Sequence, residues 1–386
     1  MSGFDIITDV LMSAAVMQAG RLRVARLLRR GIAAAAFLVA ASVWPAIAGN
    51  TAISAALNRP SIPSPVANSG LFTSIAHAGN RLVAVGERGH IVLSDDDGLH
   101  WRQVQTPTSV TLTAVGFGSP QEGWAVGHMG VVLHTEDGGL TWTKRFDGLA
   151  ANQALVSTAQ ADLAAQGSND TTTANLQAAQ QFVRGGPTVP FLAVLAQPGG
   201  KAMLAGAFGM AFTTSDGGRH WNSVFDTIPN PNGLHIYKLL PDQDSLFVIG
   251  EQGFLLHEQN AKFTTLTTPF AGTFFGGLLT SGKALLVYGL QGTVLRSTDE
   301  GKSWTQSPSG GTVVGIDCGV VDRNGRVLLG DVAGNVLVST DDGRNFTDIL
   351  QDEPVVAIAE APDGAIIIGG PFGLRRLSPQ RLAPEA

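Results

Sequence analysis

The chain has 386 residues, of which 44% are hydrophobic and 15% charged, with a formal net charge of −6. Forty-eight glycines and few charges are typical of short strands joined by tight turns. The acidic balance excludes a nucleic-acid surface built on basic charge. The single cysteine, Cys318 in VVGIDCGVV, excludes a disulfide within the chain and fits a small buried hydrophobic residue.

The first 48 residues have the pattern of an export signal. A basic stretch at 21–30 precedes the apolar run GIAAAAFLVAASVWPAIA, and residues 46–48 (Ala-Ile-Ala) are typical of a signal-peptidase site. We therefore expect cleavage there and a mature chain that begins at Gly49, exported across the inner membrane. An uncleaved membrane anchor is the alternative. The basic stretch lies deep in the chain, so translation from Met12 or Met17 is another alternative.

A short polar motif, S/T-x-D-x-G-x-x-W/F, occurs five times, and we call it the Asp box. Its aspartates and closing aromatic residues are Asp96, Trp101, Asp137, Trp142, Asp216, Trp221, Asp299, Trp304, Asp341 and Phe346. The closing aromatic residues of neighbouring boxes lie 41 or 42 residues apart, if a degenerate copy of the motif that ends at Phe263 is counted. The 79 residues from Trp142 to Trp221 are one period plus an insertion of about 38 residues.

A second marker, an apolar strand followed by G-x-x-G and another apolar strand, precedes each box and occurs seven times, once with an extra residue. A unit of about 40 residues with four short strands is the signature of a propeller blade. The sequence therefore predicts an all-β fold, a seven-bladed β-propeller of four-stranded blades with Asp-box turns, over residues 71–378. Residues 379–386 form a C-terminal tail.

The seventh copy has no box and only three predicted strands. We expect the N-terminal segment, 49–70, to supply a fourth strand that closes the ring, because closure removes open sheet edges.

The turn motifs read as structural. Glycine in G-x-x-G permits positive φ, the box aspartate and hydroxyl accept backbone N–H groups of their own turn, and the closing aromatic residue fills apolar space.

The insertion, residues 149–184, is rich in Ala and Gln and predicts a helical hairpin between blades 2 and 3. GSND breaks it, and residues 171–173 are candidate capping threonines. Its apolar stripes are thin: Leu149, Leu155 and Leu163 in the first helix, and Leu176, Ala179 and Val183 in the second. A loosely packed, solvated decoration and an arm that docks a partner are the two interpretations.

Propeller topology places the insertion on the same face as the variable residues of G-x-x-G. Because loops on a rigid scaffold commonly carry binding, this face is the predicted binding surface. Turn tips that vary because nothing holds them are the alternative. The candidate binding residues are Glu87, Arg88, His128, Met129, Phe208, Glu251, Gln252, Gln291, Phe372 and Arg375.

No catalytic site is predicted. A sialidase-like hydrolase needs three arginines, a Tyr nucleophile beside a carboxylate and a second carboxylic acid. The two tyrosines, Tyr237 and Tyr288, have no carboxylate beside them in sequence, and arginines are scarce in the G-x-x-G turns. The eight histidines lack metal-ligand spacing, and no phosphate-binding or dinucleotide motif occurs. We expect no metal and no cofactor.

The units VGHMGVVLHTEDGGLTW (126–142) and YGLQGTVLRSTDEGKSW (288–304) resemble those of the photosystem II assembly and stability factor family, also described as BNR-repeat proteins. The resemblance covers about 71–378. It implies a seven-bladed propeller of the thylakoid lumen or bacterial periplasm that binds a reaction-centre subunit through an arginine-rich patch. Bacterial relatives imply an association with resistance–nodulation–division (RND) exporters. Here Arg88 stands alone in a G-x-x-G turn, joined at most by Arg375 and Arg376, and the insertion is an addition to the family pattern.

The sequence thus predicts a non-enzymatic, exported scaffold that binds a membrane-protein client, either an RND-type transporter or a photosystem subunit. A sialidase-like glycoside hydrolase is the alternative from the enzyme class. A carbohydrate- or peptide-binding propeller, which the tips Phe208 and Phe372 suit, is the third interpretation.

Overall fold

The computed structural model describes residues 55–350 and 353–378. Within them, seven antiparallel sheets follow one another along the chain, each with its strands in sequence order. The predicted propeller of seven blades is confirmed. The predicted signal peptide and the tail 379–386 lie outside the described residues.

The blades are numbered in chain order. Blades 1 to 3 contain β1 (Phe72–Ala78), β2 (Arg81–Gly86), β3 (Ile91–Ser94), β4 (Arg102–Val104), β5 (Leu112–Phe117), β6 (Gly123–Gly127), β7 (Val132–Thr135), β8 (Thr143–Phe146), β9 (Phe191–Gln197), β10 (Lys201–Gly206), β11 (Ala211–Thr214) and β12 (Asn222–Ser223). Blades 4 and 5 contain β13 (Ile236–Asp242), β14 (Ser245–Gly250), β15 (Leu255–Gln259), β16 (Lys262–Thr265), β17 (Phe274–Leu279), β18 (Leu285–Gly289), β19 (Val294–Ser297) and β20 (Thr305–Gln306). Blades 6 and 7 contain β21 (Ile316–Val321), β22 (Val327–Asp331), β23 (Asn335–Ser339), β24 (Thr347–Leu350), β25 (Ala357–Glu360), β26 (Ile366–Gly370) and β27 (Gly373–Leu377).

The second strand of each blade is its most buried part. β6, β18, β22 and β26 are buried at every residue. Both faces of such a strand pack against neighbouring blades, so it reads as a continuous apolar run rather than an alternating one. The core is therefore a ring of apolar layers between the blades.

The two glycines of G-x-x-G have different roles. The first, such as Gly86 or Gly127, is extended, and a Cβ there would overlap the carbonyl oxygen of Leu71 or Thr111. That carbonyl accepts the N–H of the residue after the glycine. The second glycine has positive φ, as expected, but so does the residue before it, with φ between 54° and 59° in blades 1 to 5. Close approach, and not positive φ, thus requires the first glycine.

Each of the five Asp boxes satisfies its own turn, as predicted. In the second box, the Thr141 N–H donates to Asp137 Oδ1 at 2.9 Å and the Gly139 N–H donates to Thr135 Oγ1 at 3.0 Å. The same pair of bonds recurs in the other four boxes. The degenerate copy in blade 4, which ends at Phe263, is instead a tight hairpin with Asn260 and Ala261 at positive φ.

The insertion forms the predicted hairpin, α1 (Gly148–Gln166) and α2 (Asp170–Gly185). Asp147 caps α1, and Asn169 rather than the threonines 171–173 caps α2, in a capping box with Thr172. Small side chains make its contact with the propeller, where Ala151, Leu155, Ala159 and Ala179 pack against Phe146, Phe191 and Phe212.

The predicted stripes are therefore partly wrong. Leu149 and Val183 are 44% and 50% exposed, and Leu163 and Leu176 are half-buried, because alanines occupy much of the contact.

The predicted ring-closing strand is wrong for the described residues. The seventh sheet has three strands, and residues 55–70 contain helical turns and no strand. This segment follows the outer edge of blade 1, where the Ser61 N–H donates to Thr106 O at 3.0 Å. Blades 7 and 1 meet through side chains, with Ile367 and Ala365 packed against Leu82, and Arg376 Nε donates to Asp97 O at 3.0 Å.

Candidate binding face

The G-x-x-G turns and the connections between blades share one face of the propeller, which we call the turn face. The Asp boxes are on the opposite face, because successive antiparallel strands reverse direction. The hairpin leaves β8 and enters β9 on the turn face, as predicted. Phe182 of α2 contacts the G-x-x-G residue Phe208 with ring centroids 6.5 Å apart.

The ten predicted binding residues lie on six different blades. Exposed members of the set are Arg88, Phe208, Gln252, Gln291 and Phe372, and half-buried members are Glu87, His128, Met129, Glu251 and Arg375. The structure does not gather them into one cluster, because each pair belongs to its own turn. Burial lowers the pKa of His128, which favours its neutral form.

The expected arginine patch is sparse. The Arg88 side chain is 78% exposed, with a carboxylate oxygen of Glu87 4.0 Å from its Nε. Arg375 Nε lies 3.3 Å from a Glu353 oxygen, and Arg376 pairs with Asp363 at the seam between blades 7 and 1. Arg88 is thus the one arginine of the three without an ion pair to another element.

A row of six aromatic rings crosses the turn face, and we call it the aromatic row. It contains Phe225, Phe182, Phe208, His235, Tyr237 and Phe275, in spatial order. Successive centroids are 6.0, 6.5, 4.9, 6.3 and 5.4 Å apart. Phe208 is exposed and the other five rings are half-buried, so each ring keeps part of its surface in solvent. It runs from the hairpin over blade 3 to the inner strands of blades 4 and 5.

Sequence analysis found only Phe208 of this row. The other members are scattered over about 90 residues, and their contacts come from the ring of blades. Tyr237 and Phe275 occupy matching positions, each one residue after the start of an inner strand, at a bulge where the register with the second strand shifts. This shared position within the repeat is the feature of the sequence that could have identified Tyr237 and Phe275 as neighbours.

Two carboxylates flank the inner end of the row. Glu251 Oε2 accepts the His235 N–H at 3.1 Å and lies 3.1 Å from His235 Nδ1. Asp317 occupies in β21 the bulge position that Tyr237 and Phe275 occupy in their strands. A methyl group placed on Gly315 would lie 3.3 Å from Phe275 Cε2 and 3.4 Å from Asp317 Oδ1, so ring and carboxylate are close neighbours.

Asp317 has an unusual environment. Burial and, secondarily, the charge of Asp331 raise its pKa to about 7. Asp331 is different, since Thr312 Oγ1, Asn335 Nδ2 and two backbone N–H groups donate to its carboxylate. Within residues 55–350 and 353–378, the Asp317 side chain has no hydrogen-bond or ion-pair partner.

Two further groups lie on inner strands: Cys318 follows Asp317 in β21, and Lys238 of β13 lies near Cys318. Solvent reaches Lys238, although the surrounding protein lowers its pKa. Burial and then the charge of Asp317 raise the pKa of the Cys318 thiol. A raised pKa disfavours the reactive thiolate form of Cys318, which is half-buried.

The fold brings carboxylates near a tyrosine that has none beside it in the sequence. Tyr237 lies near Glu251 and Asp317, and burial followed by these two charges raises its pKa. Tyr288 is buried and its pKa is also raised by burial. A raised pKa disfavours the phenolate that a nucleophilic tyrosine needs. Among the described residues, no group of three or more His, Cys, Asp or Glu side chains is placed to hold a metal ion.

Comparisons with known proteins agree with this architecture. A family profile described as "Photosynthesis system II assembly factor YCF48" matches residues 93–168. The chain is 46% identical over 50 residues to the photosystem II stability/assembly factor HCF136 of Cyanidioschyzon merolae and 35% identical over 79 residues to the photosystem II assembly lipoprotein Ycf48 of a Synechococcus strain. These matches cover 12% and 19% of this chain, and 11% and 22% of those relatives.

Solved structures show the fold over most of the chain. A structure titled "YCF48 bound to D1 peptide" superposes with a TM-score of 0.59 at 17% identity, covering 83% of this chain and 97% of that one. A streptogramin B lyase superposes with a TM-score of 0.60 at 11% identity, covering 81% and 94%. The same fold thus occurs in an assembly factor and in an enzyme, so function must be argued from the site.

Proposed function

We propose, from the resemblance of this chain to the photosystem II assembly factor-like propellers, that it is a non-enzymatic scaffold that binds a protein client on its turn face. One observation carries the proposal: the aromatic row, in which each ring keeps part of its surface in solvent and which joins the hairpin to the inner strands. Aromatic side chains are enriched where proteins bind other proteins, because each offers a large apolar area with few rotatable bonds.

The rigid setting supports the same function. Blades fix the turn tips, and the tips differ from blade to blade while the Asp-box face repeats. Of the ten predicted binding residues, Phe208 belongs to the row and Glu251 contacts its member His235. A scaffold of this kind gains specificity from its tips without altering its core.

The client we propose is a membrane complex met from the exported side of the membrane. The predicted signal peptide supports export to the periplasm, or to the lumen in a photosynthetic organism. No helix in the described part of the chain has the length and apolarity to cross a bilayer. Because the arginine patch is sparse, we favour an RND-type exporter over a photosystem subunit.

An affinity pull-down from detergent-solubilised membranes tests the proposal. The full chain is compared with a variant in which 149–184 is replaced by a short Gly-Ser linker. A matched control carries Leu99→Ser and Leu140→Ser, which remove exposed apolar side chains from the Asp-box face. We expect an exporter or photosystem subunit with the full chain and the control, and its loss with the deletion. Recovery of no membrane protein by any of the three, or equal recovery by all, contradicts the proposal.

The second candidate is a glycoside hydrolase, which the proximity of Tyr237 to Glu251 and Asp317 favours. The sparse arginines and the raised pKa of Tyr237 weigh against it. The check is release of nitrophenol from aryl sialosides and aryl glucosides by the full chain and by Tyr237→Phe. Turnover that disappears in Tyr237→Phe would establish the enzyme.

A further inference from the structure

The inner end of the aromatic row combines an apolar surface with the carboxylate of Asp317, which has no hydrogen-bond or ion-pair partner in the described part of the chain. Phe275 and Asp317 both lie beside Gly315, and the neighbouring carboxylate Glu251 is already engaged by His235. A carboxylate in partly buried surroundings is costly unless a cation or hydrogen-bond donors meet it. The ring beside it adds a second attraction for a cation.

The spacing of the row fits an extended chain. Alternate side chains on one face of an extended peptide repeat at about 6.6 Å, and the ring centroids are 4.9 to 6.5 Å apart. A peptide lying along the row would therefore place successive same-face side chains against successive rings.

The ring orientations favour peptide side chains over sugars. Four of the five contacts in the row are edge-to-face, with interplanar angles from 63° to 88°. Such rings present alternating edges and faces instead of the open flat faces on which a sugar stacks. The chain's net charge of −6 also complements a cationic ligand.

We propose that the aromatic row binds an extended peptide segment of the client, with a lysine or arginine side chain between Phe275 and Asp317 and apolar side chains toward the hairpin. This inference rests on the proposed scaffold function and names the chemistry of its client. A glycan on the same surface is a competing outcome.

Selection from a displayed library of random ten-residue peptides on the full chain tests the inference. We expect enriched peptides with one basic residue followed at alternate positions by apolar residues. The same selection is run on Asp317→Asn, which removes the charge and keeps the shape, and on Phe275→Leu, which removes the ring and keeps apolar volume. Asp244→Asn, an exposed carboxylate on the opposite face of blade 4, is the matched control.

The strongest peptide is then measured by fluorescence anisotropy at pH 8, where the Asp317 carboxyl group is ionised, beside a copy with norleucine at the basic position. The inference predicts that norleucine weakens binding at least tenfold on the wild type and on Asp244→Asn, and less than threefold on Asp317→Asn. Phe275→Leu should weaken binding of the original peptide about fivefold or more. Far-ultraviolet circular dichroism establishes that each variant is folded.

Three results would overturn the inference: no enrichment of a basic residue, the same enrichment on Asp317→Asn, or binding of glycans but not of peptides in a glycan array. None of these depends on the pull-down. If the pull-down recovers a membrane protein and Asp317→Asn recovers it equally, the scaffold stands and the cationic segment does not.

Discussion

At the residue scale, each box aspartate holds its turn through several acceptor bonds. Asp137 accepts from the Thr141 N–H at 2.9 Å, from Thr141 Oγ1 at 2.6 Å and from Thr135 Oγ1 at 2.8 Å. Asp137→Ala leaves these donors to water or to no partner. We expect a loss of about 1–3 kcal/mol in the free energy of unfolding, measured by urea titration. Glu136→Ala, at the exposed neighbouring position of the same turn, should change it by less than about 0.5 kcal/mol.

Asp317 gives a pH-dependent prediction. Its pKa is raised from 3.8 to about 7, so the folded state binds its proton more tightly than the unfolded state does. This group therefore makes stability fall as pH rises from about 4 to about 7. The groups around it that also carry or gain charge are Asp331, Tyr237, Tyr288 and Cys318.

Asp317→Asn removes that dependence. The free energy of unfolding of Asp317→Asn minus that of the wild type should be larger at pH 8 than at pH 5, by on the order of 2–3 kcal/mol. The variant is thus relatively more stable at pH 8. Urea titrations at the two pH values measure the difference, with Asp244→Asn as the control. An equal effect of Asp317→Asn at both pH values would show that the carboxyl group is not held protonated.

At the scale of elements, one side chain joins the two helices of the hairpin. Asn152 is 5% exposed, and its Nδ2 donates to Phe182 O at 3.1 Å and to Gly186 O at 3.2 Å. Asn152→Ala frees two carbonyls at the end of α2, at a cost of about 1–3 kcal/mol. Hydrogen exchange should speed up over 148–186 and stay unchanged in blades 4 to 6. Gln153→Ala, on the exposed side of α1, should leave exchange unaltered.

Local turn chemistry made most of the elements predictable from sequence. The Asp box, G-x-x-G and the hairpin break each depend on residues within seven positions of one another. The ring closure and the aromatic row were missed because their partners are distant: Phe208 meets His235 only after blades 3 and 4 stack. That Asp317 has no partner among the described residues is likewise a product of packing, since a sequence shows a carboxylate but not its neighbours.

At the scale of the whole molecule, the seam between blades 7 and 1 is closed by side chains in the described residues. Two neighbouring isoleucines of β26 contact different blades: Ile367 packs toward blade 1 and Ile368 toward blade 6. They therefore distinguish the seam between blades 7 and 1 from the contact between blades 6 and 7. Ile367→Ala and Ile368→Ala should each cost about 2–5 kcal/mol.

Only Ile367→Ala should also speed hydrogen exchange in β1 and β2. That difference, measured by mass spectrometry on both variants, checks whether side-chain packing holds the ring shut. Protection of β1 and β2 that drops equally in the two variants would mean that the ring opens elsewhere.

The different roles of the two glycines in G-x-x-G have a consequence for engineering. Since its first glycine makes way for a carbonyl and the next-to-last position is left-handed, an experimenter can randomise the two middle residues while keeping both glycines. The residues encoded at the second middle position should favour Asn, Asp and Gly, which tolerate positive φ, and omit the β-branched residues. Apart from the buried Ala207, blades 1 to 5 then offer nine diversifiable sites on the turn face, with the Asp-box turns on the opposite face. Such a chain is a ready starting point for synthetic affinity reagents.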